Sequence, residues 1–143
     1  GRLSKEELEA AESMAEETIT DTDMDWYALD ERMELDGETV NTGKGQTFAC
    51  GLRTKEQGFY KIRIRAKVDA SELAQVSVSI FANSKLQGTV TLNGTDGKYV
   101  EIEQPLGFFI NISNYLKLYF AESGMQIENI IIEKDNEKMI EMT

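Results

Sequence analysis

Residues 58–68 read Gly-Phe-Tyr-Lys-Ile-Arg-Ile-Arg-Ala-Lys-Val, and this stretch decides the fold. Ile62, Ile64, Ala66 and Val68 recur at every second position, and Lys61, Arg63, Arg65 and Lys67 fill the positions between them. A period of two sends successive side chains to opposite faces of an extended chain, so the stretch is a strand with one buried and one wet face. The alternation returns downstream. Val76, Val78 and Ile80 stand against Ser77 and Ser79, Val100 and Ile102 against Glu101 and Glu103, and Leu116, Leu118 and Phe120 against Tyr115, Lys117 and Tyr119. Turn residues punctuate the series, at Asn83-Ser84-Lys85 and at Asn93-Gly94-Thr95-Asp96-Gly97, where two strong turn dipeptides fall together. Strands that are apolar on one face need a second apolar layer, and two packed antiparallel sheets supply it. The expectation is an all-β sandwich, with Ile62, Ile64, Val78, Ile80, Val100, Ile102, Leu116, Leu118 and Phe120 inside.

Working outward, residues 99–103, 115–121 and 126–133 read as further strands, and Pro105 and Gly107 as an interruption before the half-defined Phe108–Ile112. Upstream, residues 47–52 and 27–36 read as strands, the latter with a short helix as its rival; Asn41–Gln46 is an open loop and Lys55–Gly58 a turn. Residues 4–17 are good helix formers, with Ser4 as N-cap and Glu7 closing a capping box. Their apolar stripe is only Leu3, Leu8, Ala11 and Ala15, too thin for an isolated helix to persist in water, so the helix is expected at the periphery of the sandwich. The expected organisation is an acidic helix and linker over 1–25, a β-sandwich module over 26–133 and a tail over 134–143. The chain opens on Gly1 and not Met, which reads as a piece excised from a longer protein.

Composition narrows the function. The 143 residues suffice for one domain with a sizeable core. Cys50 is alone and sits in an apolar context, so it reads as a core residue of a chain without an internal disulfide. There is no histidine, which removes the commonest general base and transition-metal ligand. The net charge is −11, and residues 1–38, with 14 acids and 3 bases, hold all of it. That balance argues against a nucleic-acid partner. No apolar run approaches the ~20 residues of a membrane helix. No Gly-rich phosphate loop, no GxSxG and no Cys/His pair is present, and no spacing singles out one carboxylate pair among 26 acids, so the domain reads as non-catalytic.

The strand series carries a resemblance. Gly58-Phe59-Tyr60-Lys61-Ile62-Arg63, then Phe81-Ala82-Asn83, then Gly94-Thr95-Asp96-Gly97-Lys98-Tyr99, then Tyr115-Leu116-Lys117-Leu118 and a closing isoleucine strand at 127–132 resemble carbohydrate-binding modules of the family 6 and family 35 type. These are galactose-binding-like jelly-roll β-sandwiches, accessory to bacterial glycoside hydrolases. The likeness covers roughly residues 27–133. It implies an oligo- or polysaccharide partner, a neighbouring catalytic domain in the same chain and an extracellular or cell-surface setting. In such modules aromatic rings stack on the sugar and an amide fixes a hydroxyl. The family's Thr-Gly-Gly-Trp turn is similar to Thr95-Asp96-Gly97-Lys98-Tyr99, with Tyr99 in the tryptophan's place. The family's second ring belongs to a loop that here is Asn41–Gln46 and lacks an aromatic, which leaves Trp26 and Tyr27 to supply it. The implied sugar site is therefore Tyr99, Asp96, Lys98, Asn83, Trp26 and Tyr27. Strand parity alone makes Tyr99 outward-facing, as a sugar platform or as an ordinary half-exposed residue. The resemblance also implies a structural calcium held by Glu34, Asp36 and Asn129. Two further arrangements stay open. Tyr115, Lys117 and Tyr119 would combine with Arg63 and Arg65 on one polar, aromatic face, and the basic residues of 61–67 would dock the acidic N-terminal segment or pair with Glu101 and Glu103. The rival function is a purely structural β-sandwich that packs on a catalytic domain or subunit without a glycan site.

Overall fold

The computed structural model describes residues 5–6 and 24–138, with backbone alone for 36–41. Nine strands follow in order: β1 (Asp25–Leu29), β2 (Arg32–Asn41), β3 (Gln46–Thr54), β4 (Gly58–Val68), β5 (Val76–Ala82), β6 (Lys85–Leu92), β7 (Val100–Phe109), β8 (Ser113–Phe120) and β9 (Met125–Lys134). They form a five-stranded sheet, β1-β3-β8-β5-β6, packed on a four-stranded sheet, β2-β9-β4-β7. Among the described residues every pairing is antiparallel except β1 on β3. This is the expected two-layer sandwich. Residues 5–6 are helical; the rest of the helix expected over 4–17 lies outside the described residues.

The inward residues make one core. Ile62, Ile64, Ala66 and Val68 of β4 face Val78, Ile80, Leu116, Leu118 and Phe120 across the layers, with Ile130 and Ile132 of β9 beside them. Of the nine residues expected inside, only Val100 is half-buried, because it opens the edge strand β7. Cys50 is buried in this core, and burial pushes its thiol up to about 12. Tyr60 stacks on Phe109 with centroids 5.2 Å apart, and its hydroxyl reaches the carbonyls of Asp30 (3.0 Å) and Glu56 (2.8 Å).

Three local readings change. The strand expected over 27–36 is two strands, broken at Asp30-Glu31, and the halves belong to different sheets. Backbone bonds from Lys55 to the Leu29 carbonyl (3.0 Å) and from Lys134 to the Glu31 carbonyl (2.9 Å) hold the crossing. Pro105 and Gly107 do not interrupt β7. They sit in a bulge where the pairing jumps between Tyr60 and Lys61 of β4, Gly107 takes a φ of 84°, and the edge position leaves the missing proline N–H without cost. The tail expected from 134 begins later. Asp135 is buried, its N–H donates to the Phe59 carbonyl (2.8 Å), and its carboxylate accepts from Lys138 N (3.1 Å); residues 139–143 lie outside the described residues.

The wet face of the four-stranded sheet is an ion-pair lattice. Lys61 pairs with Glu103 (2.9 Å), Arg63 with Glu101 (3.6 Å) and Glu133 (3.0 Å), and Arg65 with Glu128 (3.0 Å). Pairing across the sheet, one of the two roles left open for these cations, is observed, and docking of the acidic N-terminal segment lies outside the described residues. The hydrogen bond to Glu103 holds the Lys61 ammonium above its usual range.

Candidate functional site

The turn that carries Tyr99 is fixed by its backbone. Asp96 and Gly97 take φ values of 54° and 73°, which reverse the chain between β6 and β7. Thr95 pins the turn to the end of β4: its N–H donates to the Val68 carbonyl (3.0 Å), and its hydroxyl accepts from Val68 N (3.1 Å). Asn93 Nδ2 donates to the Ala74 carbonyl (2.9 Å), and Gly94 N to the Ser71 carbonyl (3.2 Å). A Cβ on Gly94 would stand 2.1 Å from the Ala70 oxygen, so only glycine fits this approach.

Asp96 and Lys98 project from the turn into solvent. Tyr99 is half-buried on the outer face of the four-stranded sheet, with the Lys67 ammonium 5.0 Å and the Arg65 guanidinium 5.5 Å from its ring centroid. Chemically the cluster offers a π face with two cationic donors over it, and the same turn carries the exposed Asp96 carboxylate. That combination can stack an apolar sugar face and hydrogen-bond its hydroxyls.

The other expected members lie elsewhere. Asn83 forms the β5–β6 turn (φ 51°), at the opposite end of β6 from Asp96. Eight residues of strand at ~3.3 Å each separate the two ends by ~26 Å, too far for one sugar. Its amide is committed to the fold, donating to Asn114 Oδ1 (2.9 Å) and accepting from Tyr115 N (2.9 Å). Trp26 pairs with Gly51 and lies on the outer face of the five-stranded sheet, the far side of the sandwich from Tyr99. There it meets Tyr115 edge-on (5.7 Å), and a Cβ on Gly51 would lie 2.3 Å from its ring. Tyr27, one residue on, turns inward against the core. Neither ring completes the Tyr99 cluster.

The grouping of Tyr115, Lys117 and Tyr119 with Arg63 and Arg65 also separates, because β8 and β4 belong to different sheets. Tyr115, Lys117 and Tyr119 instead share their face with Trp26, Phe81 and Leu86, and Lys117 Nζ lies 5.4 Å over the Phe81 ring. Sequence reading missed Phe81, whose outward parity was legible from Val78 and Ile80. It also missed a polar cleft of about 530 Å³ at the end of the sandwich opposite the Tyr99 turn, lined by Glu31, Arg32, Lys61, Glu133, Lys134 and Glu137. Lys134 there is hydrogen-bonded to Glu56, which raises the lysine pKa and lowers that of the carboxylate.

The implied calcium ligands meet only in part. Asp36 pairs with Asn129 through the backbone register, and Asn129 Nδ2 donates to Glu34 Oε1 (2.9 Å). Arg32 takes the other Glu34 oxygen (3.0 Å). As arranged, Glu34 faces the Arg32 cation, Asn129 presents its amide nitrogen to Glu34, and the Asp36 side chain lies outside the described residues. Among the described residues no three acidic or cysteine side chains converge on a common point. Cys50, with its raised pKa, offers no thiolate near neutral pH. No helix among the described residues is long and apolar enough to cross a membrane.

No protein-family model matches the chain. A β-glucosidase of Ruminococcus albus is 28% identical over 139 residues, which is 93% of this chain and 14% of that enzyme. The chain thus spans about one seventh of the relative's length. In structure it is similar to the C-terminal family 6 module of a marine laminarinase from Zobellia galactanivorans, with a TM-score of 0.56, 18% identity and coverage of 73% of this chain and 89% of that one. It is similar again to a family 6 module of Cellvibrio mixtus lichenase 5A, solved in complex with cellotriose, with a TM-score of 0.54, 17% identity and coverage of 68% and 78%. Family 35 modules share the fold as well.

Proposed function

From the fold of the family 6 and family 35 carbohydrate-binding modules, which this chain has, we infer that it is a non-catalytic glycan-binding unit of a larger glycoside hydrolase. The observation that carries the inference is that likeness, because it extends over most of the length of separate modules and includes one solved holding cellotriose. The R. albus β-glucosidase supports the attachment to an enzyme. Such a unit raises the effective concentration of its enzyme on the glycan.

We place the sugar at the Tyr99 turn. The pyranose stacks on the Tyr99 ring, Arg65 and Lys67 donate to its hydroxyls, and Asp96 accepts from one. The cations that now lie by the ring are each worth ~0.5–1 kcal/mol at an exposed site, and the sugar competes with them. One ring and a competed face give affinity in the ~mM range for a monosaccharide. A screen of the chain against immobilised plant oligosaccharides tests the reading: retention of β-glucans supports it, and retention of none at high glycan density removes it.

A second observation bears on the neighbouring domain. Phe108, Ile110 and Ile112 are exposed in succession where β7 turns into β8, with Phe59 against Phe108 at 5.4 Å. An apolar strip of this kind suits packing on a catalytic domain. It is compatible with a glycan site at the other end of the sandwich, so it extends the first reading and does not displace it.

A further inference from the structure

Two chain crossings lie side by side over the end of the sandwich that carries Tyr99. Residues 69–75 lead from β4 of the four-stranded sheet to β5 of the five-stranded sheet, and residues 93–99 lead back from β6 to β7. In the first crossing Ala74 N donates to the Ser71 carbonyl (3.0 Å), which closes a tight turn with Glu72 and Leu73 at its tip. Both ends of that turn are bonded to the second crossing. The Ser71 carbonyl also accepts from Gly94 N (3.2 Å), and the Ala74 carbonyl accepts from Asn93 Nδ2 (2.9 Å). The contact is close enough that a Cβ on Gly94 would stand 2.4 Å from the Ser71 oxygen. The tip of the first turn is therefore locked to the turn that presents Tyr99. At that tip Leu73 is 89% exposed, the most exposed large apolar side chain among the described residues. The others, Phe108, Ile110 and Ile112, lie at the opposite end of the sandwich. A single exposed leucine on a surface is ordinary. What distinguishes Leu73 is that its turn is held in place by bonds to a second turn with a ring of its own, as binding loops on a scaffold are.

We propose that Leu73 is the second apolar contact of the glycan site, so that the site takes an extended oligosaccharide laid across the end of the sandwich and not a single terminal sugar. This rests on the sugar site placed at the Tyr99 turn. Tyr99 leads into β7 of the four-stranded layer, and Leu73 lies three residues before β5 of the five-stranded layer. Packed sheets stand ~10 Å apart, so a saccharide that touches both side chains spans more than one pyranose. The sugar on Tyr99 stacks on the ring, and a sugar further along the chain sets its C–H face on the Leu73 side chain. Covering two apolar surfaces with one ligand takes both out of water, which favours the longer chain. The exposed Glu72 beside Leu73 accepts from hydroxyls of the distal sugar. Because the two turns are already bonded to each other, the protein orders little on binding.

The test is calorimetric titration of the unaltered chain, Leu73→Ser and Tyr99→Ala with the disaccharides and pentasaccharides of the cello and laminari series. In the better-bound series the unaltered chain should hold the pentasaccharide about tenfold more tightly than the disaccharide. Leu73→Ser should weaken the pentasaccharide by roughly threefold or more and leave the disaccharide affinity unchanged. Its urea midpoint should also stay unchanged, because the side chain it removes is exposed. Tyr99→Ala should weaken both lengths. Equal pentasaccharide affinity in Leu73→Ser and the unaltered chain overturns the proposal and leaves the Tyr99 site standing; no heat with any of the four sugars in the unaltered chain overturns both.

Discussion

Asn114 is fully buried, and its side chain makes four hydrogen bonds. Nδ2 donates to Thr54 Oγ1 (2.9 Å) and the Ile110 carbonyl (2.8 Å), while Oδ1 accepts from Ile110 N (3.2 Å) and Asn83 Nδ2 (2.9 Å). It ties the end of β3, the β7–β8 turn and the β5–β6 turn into one network. Asn114→Ala removes all four bonds and strands the Ile110 N–H; the Ile110 carbonyl keeps the Thr54 hydroxyl as a partner. At about 1 kcal/mol net per bond, with a further 1–3 kcal/mol for a donor left unmade, the loss should be about 5–7 kcal/mol. The control is Asn83→Gly, which tolerates the φ of 51° and removes an amide that water replaces; it should cost about 1 kcal/mol. Urea unfolding followed by Trp26 fluorescence measures both. A cost below about 1 kcal/mol for Asn114→Ala would refute the claim that this network closes the end of the sandwich.

Other outcomes follow from the same geometry. Ile64→Ala or Leu118→Ala, each opening a cavity between the sheets, should cost about 2–5 kcal/mol in the same assay. Cys50 should be inert to thiol reagents at pH 8 in the native chain and react on unfolding. Its folded pKa of about 12 lies above the unfolded value of 9.0, so its contribution is complete below pH 9 and is lost as pH rises from there toward 12; Cys50→Ala should flatten that alkaline decline in the thermal midpoint. Chelation with EDTA should leave the midpoint unchanged, because Arg32 supplies the positive charge that Glu34 faces; a rise on adding calcium would mean that Arg32 leaves and Asn129 turns its oxygen inward.

Strand parity was legible because each inward position repeats an apolar residue: Ile62 to Val68 and Leu116 to Phe120 read correctly from period alone. The Asp96-Gly97 turn was legible because its dipeptide demands positive φ. Sheet membership was not, since period two reports which face a residue takes and not which sheet its strand joins. Arg63 and Tyr115 share a parity and stand on opposite sides of the molecule. The break at Asp30-Glu31 escaped notice because it uses neither glycine nor proline. Of the six expected site residues, the three carried by one turn, Asp96, Lys98 and Tyr99, stay together, while Asn83, Trp26 and Tyr27 depend on long-range pairing and separate from them. Asn114 shows the limit most plainly. It is a polar residue at a strand end in the sequence, and only the meeting of three distant segments gives its side chain four hydrogen bonds.

The central claim, a glycan taken at the Tyr99 turn, is tested most directly by calorimetric titration of the chain with cello- and laminari-oligosaccharides, repeated on Tyr99→Ala. The account predicts saturable binding in the ~mM range for the unaltered chain, because a single stacked ring contributes only about 1–2 kcal/mol. It predicts loss of about tenfold or more in Tyr99→Ala, with the unfolding midpoint unchanged. Equal affinity in the two chains would contradict the placement of the site, and no heat with any oligosaccharide at millimolar concentration would contradict glycan binding itself.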